Sequence, residues 1–151
     1  MRVALGADHA GVQLKDAVRS LLESKGIEVQ DVGTSGVESS VDYPDYAATV
    51  GQAVAAGQAE LGILVCGTGL GMAIAANKIA GVRAAAVVDV ESARLAREHN
   101  DANILALGAR VTPADVALKI VDTFLGTPFA GGRHQRRLDK ITAIENGRSR
   151  P

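Results

Sequence analysis

The chain has 151 residues, a net charge of −1 and 47% hydrophobic residues, with 3% aromatics and no tryptophan. This is enough apolar material for one folded domain over residues 1–151, and too much for a disordered chain. Near-neutral charge excludes a global pull toward nucleic acid or an anionic membrane, and a single cysteine excludes an internal disulfide or a multi-cysteine zinc site.

Arg2 to Ala7 (RVALGA) reads as a first strand. Leu14, Ala17, Val18, Leu21 and Leu22 then share one helical face, and Gly26 is a plausible stop. Ile27 to Val32 is a second strand. Gly33 to Asp42 (GTSGVESSVD) is a polar loop long enough to be a lid. Pro44 fits the first turn of a helix reaching about Ala56. Leu61 to Cys66 (LGILVC) is a fully apolar third strand. It breaks into Gly67-Thr68-Gly69-Leu70-Gly71, and a helix to about Ile79 follows.

Val82 to Val88 reads as a fourth strand, with Asp89 capping a helix from Val90 to Asn100. Asn103 to Gly108 is a fifth. Thr112 as cap, Pro113 in the first turn and Asp115 behind it predict the next helix. Val116, Ile120, Val121 and Phe124 form its apolar face. A last helix covers Arg133 to Asn146. No run approaches the roughly 18 apolar residues that span a bilayer. Asp8 and His9 come too early for a signal peptide's apolar region, so the expectation is a soluble, cytoplasmic protein.

Five strands alternating with helices predict an α/β fold, a parallel sheet covered on both faces. In the order 2-1-3-4-5, ligands bind beyond the C-terminal strand ends, at the reversal between strands one and three. Asp8-His9 and Cys66-Gly67 would face each other there.

The glycines at 67, 69 and 71 fail the G-x-G-x-x-G spacing, because Met72 holds the third position. No G-K-[ST] follows. Asp89, past the fourth strand, still resembles a ribose-binding acid, which keeps a nucleotide-binding module as a rival. The loop can aim several N–H groups at an anion, or it can be a tight packing turn. Cys66 is equally open: a small buried hydrophobe, or a thiolate favoured by a helix N-terminus. His99, at a helix end, reads most simply as a surface or capping residue. No H-x-x-x-H or C-x-x-C pair exists, so no metal is expected. Arg133 and Arg137 share a helical face beside His134 and Lys140, which makes either a solvated basic face or a phosphate clamp.

The segments GADHAG (6–11), DYPDYA (42–47), GILVCGTGLGMAIAANK (62–78), AREHNDANILALGAR (96–110) and GGRHQRRLDKI (131–141) resemble ribose-5-phosphate isomerase type B. That family also includes galactose-6-phosphate isomerase subunits. The resemblance spans nearly the whole chain. It implies a Rossmann-like α/β/α sandwich, a homodimer or tetramer with active sites shared at the interface, and no cofactor. It implies reversible, metal-free isomerisation of ribose 5-phosphate and ribulose 5-phosphate in the non-oxidative pentose phosphate pathway. The alternative is a six-carbon phosphosugar of the allose or galactose 6-phosphate type on the same site.

In the family's pattern Cys66 moves the proton between C1 and C2, and His99 opens the furanose ring. Asp8, His9, Gly67, Thr68, Gly69, Leu70, Gly71, Asn100, Arg110, Arg133 and Arg137 contact the substrate. Thr68 can also assist the chemistry with its hydroxyl, and His134 stands as a further candidate for the phosphate. The C-terminal helix is expected at the dimer interface.

Overall fold

The structure, a computed structural model, describes residues 1–147. Among these residues one parallel sheet carries β1 (Arg2–Ala7), β2 (Glu28–Asp31), β3 (Leu61–Cys66), β4 (Ala84–Ala86) and β5 (Ile104–Gly108). The helices are α1 (Val12–Ser24), α2 (Tyr43–Ala55), α3 (Leu70–Ala76), α4 (Val90–Asn100), α5 (Ala114–Gly126) and α6 (Arg133–Glu145). No helix among the described residues is long and apolar enough to cross a membrane.

The strand order is 2-1-3-5-4, which corrects the expected 2-1-3-4-5. Burial supplies the reason. Every residue of β3 and β5 is buried, so both need cover on two faces and take central places. β4 is three alanines, two half-buried and one exposed, which suits an edge. The chain steps outward from β3 to β4 and back to β5. Right-handed crossovers then put α4 on the same face as α1.

Side chains alternate across the sheet accordingly. Leu5, Ile63, Val65, Leu105 and Leu107 pack with Leu14, Val18, Leu22, Ala96, Ile120 and Phe124, from α1, α4 and α5. Leu64, Cys66, Ile104 and Ala106 pack with Val50, Val54, Met72 and Ala76, from α2 and α3.

The Asp89 cap forms as expected, with Oδ1 accepting from the Ser92 N–H at 2.7 Å. Thr112 does not cap: α5 begins at Ala114, and the buried Thr112 Oγ1 has no hydrogen-bond partner among the described residues. Its own N–H is turned back onto the Gly108 carbonyl at 3.0 Å, which holds it to the end of β5. Asn77 lies against β4, its amide accepting from the Ala84 N–H at 2.8 Å and donating to the Ala84 carbonyl at 2.9 Å.

Candidate active site in two halves

Three adjacent strands deliver the first half. Ala7 pairs with Val65, and Cys66 pairs with Gly108, so Asp8-His9, Cys66-Gly67 and Ala109-Arg110 leave the sheet at one edge. The corrected strand order matters here. With β5 beside β3, Arg110 follows the neighbouring strand: its N–H donates to the Gly67 carbonyl at 2.9 Å. Its guanidinium Nη1 lies 3.2 Å from where a Cβ on Gly67 would stand.

Asp8 is buried, and its Oδ1 accepts from the N–H groups of Ala10 and Gly11 at 3.0 and 3.2 Å. That fixes the carboxylate and leaves Oδ2 for a ligand. His9 Nδ1 accepts from the Val41 N–H at 3.2 Å, so the neutral ring carries its proton on Nε2. The same bond ties the far end of the 33–42 loop to the site. The near end is held by Gly33 N–H on Asp31 Oδ1 and Thr34 N–H on the Ala7 carbonyl.

Cys66 is 5% exposed, and its Sγ accepts from the Gly69 N–H at 3.1 Å. A donor aimed at sulfur stabilises negative charge on it. Only a residue tolerant of φ near +80° can present that N–H, which is why a glycine stands at 69. The Leu70 N–H turns to Thr68 Oγ1 at 3.3 Å. Two of the loop's N–H groups are therefore used within it, and those of Gly67, Thr68 and Gly71 have no hydrogen-bond acceptor among the described residues. Tyr43 covers the loop from α2, its ring 2.6 Å from a Cβ built on Gly71.

The second half lies elsewhere. α4 starts beyond the C-terminal end of β4 and runs back, so His99 and Asn100 sit at the sheet's opposite edge. Arg83, just before β4, clasps this end through Nε on the carbonyls of Asn100 and Asp101 at 3.2 and 3.0 Å. Ile104 to Gly108 alone spans about 13 Å at 3.3 Å per residue. His99 therefore cannot share a sugar carbon with Cys66 of the same chain. His99 instead stacks on His134, ring centroids 4.3 Å apart and planes within 13°. His134 is buried, and that burial holds its pKa below the usual 6.5. The charges of His99, Arg133 and Arg137 push the same way.

The candidate residues thus fall into Asp8, His9, Cys66, the 67–71 loop and Arg110 on one side, and His99, Asn100, Arg133, His134 and Arg137 on the other. Asp89 belongs to neither: both its oxygens are taken by Ser92, and it follows the edge strand. The nucleotide reading loses its acid. No group of three His, Cys, Asp or Glu side chains gathers for a metal among the described residues.

Residues 3–141 match the model of the Ribose/Galactose Isomerase family. The chain belongs to the ribose/galactose isomerase family. It is 49% identical over 148 residues to ribose-5-phosphate isomerase B of Escherichia coli, covering 98% of this chain and 99% of that one. Its fold superposes on ribose-5-phosphate isomerase B of Clostridium thermocellum with a TM-score of 0.96 at 52% identity, over 99% of this chain and 100% of the other. A Mycoplasma genitalium relative solved with bound ribulose 5-phosphate gives 0.93 at 44% identity, over 96% of each chain.

Three features of this family member escape the sequence. Tyr43 was visible only as one of four Tyr and Phe residues, and the only one of them among the exposed large hydrophobics. The Val41 N–H on His9 has no side-chain signal at all. The His99–His134 stack joins residues 35 positions apart on two helices.

Proposed function

We propose that this chain is a ribose-5-phosphate isomerase, interconverting ribose 5-phosphate and ribulose 5-phosphate through an enediolate. The observation that carries the reading is the buried Cys66 thiol with a backbone N–H on its sulfur, set between Asp8 and the glycine loop. The names of the Escherichia coli and Clostridium thermocellum relatives agree with it.

As thiolate, Cys66 removes the C2 proton of the open-chain aldose and returns it to C1. The electron pair left behind moves onto O1, and a proton passes between O1 and O2. The N–H groups of Gly67, Thr68 and Gly71 and the Thr68 hydroxyl meet the developing oxyanion. His9 and Arg110 at the strand ends, with Arg133 and Arg137 on α6, hold the phosphate away from the reacting carbons and fix the geometry. His99 donates and accepts the proton that opens the furanose ring.

The two halves meet only if a second copy supplies one of them, so the working unit is a homodimer in which the partner's His99, Asn100, Arg133 and Arg137 complete the site. Apolar surface beside each half supports this. Leu70 and Ile74 are exposed on α3, and Ile141 and Ile144 on α6. A two-fold axis pairs such patches twice and forms two equal sites.

The test is a coupled isomerase assay on wild type and Cys66→Ala, repeated in excess EDTA and with six-carbon phosphosugars. Removing the base is expected to lower kcat at least about 100-fold. Full activity in the variant would sink the base assignment, loss with EDTA the metal-free one, and faster turnover of a hexose 6-phosphate the choice of substrate.

A further inference from the structure

We infer that His134 is a positioning residue, whose imidazole holds the ring of His99 in the orientation from which His99 opens the sugar. The proposal rests on the isomerase reading above and adds a residue to it. His99 has no hydrogen bond of its own to fix its ring among the described residues. Its nearest charged neighbour, Glu98, has Oε1 3.7 Å from Nε2, beyond hydrogen-bond reach. The terminal torsion of histidine is broad, so an unsupported ring samples many orientations. What fixes it is the parallel face of His134 at 4.3 Å.

The stack is built into the backbone. The Ala130 N–H donates to the Glu98 carbonyl at 3.0 Å, which sets the residues leading into α6 against the last turn of α4. The His134 N–H then closes on the Gly131 carbonyl at 3.1 Å, placing its ring in the helix's first turn. His134 is 8% exposed, whereas the His99 side chain is 36% exposed. One ring is a wall and the other keeps an open edge for a ligand. The charges are arranged to match. Burial, His99, Arg133 and Arg137 oppose a proton on His134 more than Glu98 attracts one.

Ribulose 5-phosphate separates the two roles. Its C5 oxygen carries the phosphate, so it cannot close a furanose, and deuterium wash-in at C1 from D2O reports proton abstraction alone. Ribose 5-phosphate must first be opened. In His134→Ala, kcat on ribose 5-phosphate is expected to fall about tenfold or more, the cost of a misaligned catalytic group. Wash-in into ribulose 5-phosphate should stay within about twofold of wild type. His134→Phe keeps a stacking ring without charge and is expected to recover most of the loss. His134→Gln, of similar bulk but without a ring face, is not. If the alanine variant fails to fold, the Phe and Gln pair carries the same comparison. Equal losses in turnover and wash-in, no loss in either, or a Phe variant no better than Gln would each overturn the proposal. Wild type inert on ribose 5-phosphate would instead overturn the isomerase reading, before any variant is compared.

Discussion

Subunit mixing tests the divided site most directly. Cys66→Ala damages the strand-end half and His99→Ala the α4–α6 half, so each homodimer alone is expected to be nearly inactive on ribose 5-phosphate. Co-refolded at equal amounts, the chains pair at random, and half of the dimers are mixed. In each mixed dimer one site carries both substitutions and the other carries none. Activity should therefore return to about one-quarter of the wild-type value. The grouping also says which pairs fail. His99→Ala with Arg137→Ala leaves one defect in each site of the mixed dimer, and no recovery is expected. The assay is the coupled isomerase rate before and after refolding, with dimer content checked by size-exclusion chromatography. A Cys66→Ala and His99→Ala mixture no more active than its separate components would refute the argument from the roughly 13 Å of strand that separates the halves.

Gly69→Ala forces a left-handed backbone on a residue with a side chain and puts its Cβ 3.0 Å from the Leu107 carbonyl carbon. It should cost about 2 kcal/mol, lowering Tm by roughly 4–8 °C, and should lower kcat by drawing the N–H off Cys66. Asp31→Ala removes the closer of two carboxylates on the Lys15 ammonium, whose side chain is 3% exposed, and leaves it only the half-exposed Asp16 at 3.2 Å. A loss of about 3 kcal/mol is expected in urea unfolding, largely restored by adding Lys15→Met. Asp89→Ala removes the α4 cap outside both half-sites, so Tm should fall with kcat unchanged. The Asp89 carboxyl is held below its ordinary 3.8 by the Ser92 N–H and hydroxyl. A depressed acid stabilises the fold above its unfolded pKa and loses that contribution as pH falls through the folded one. The Tm gap between wild type and Asp89→Ala should therefore close below about pH 3.8.

The elements were legible where one short-range rule governed them. LGILVC is apolar throughout because β3 is covered on both faces, and Asp89 three residues ahead of Ser92 forms the cap its type favours. Strand order was less legible because chain order alone does not say which strand goes to the edge. The signal was present in composition: NILALG is apolar enough for a centre, and the alanines after Arg83 are not. Thr112 misled because a cap's side-chain oxygen must accept from the first N–H groups of its helix, and Thr112 Oγ1 is buried with no hydrogen-bond partner among the described residues. Cys66 stood open between filler and base because both want an apolar strand end. The Gly69 N–H on its sulfur, which supports the proposed base, has no signal in the sequence. The division into two halves depends on the direction in which α4 runs, which follows from topology and not from any motif.

Asn77 has a consequence for the edge of the sheet. An edge strand offers free N–H and C=O groups on which a foreign strand can add, the first step of aggregation. At β4 the outward N–H and C=O of Ala84 are both occupied by the Asn77 amide, as a neighbouring strand would occupy them. An incoming strand would have to displace two hydrogen bonds to gain three residues of pairing. Strand addition at the β4 edge is therefore opposed before it begins.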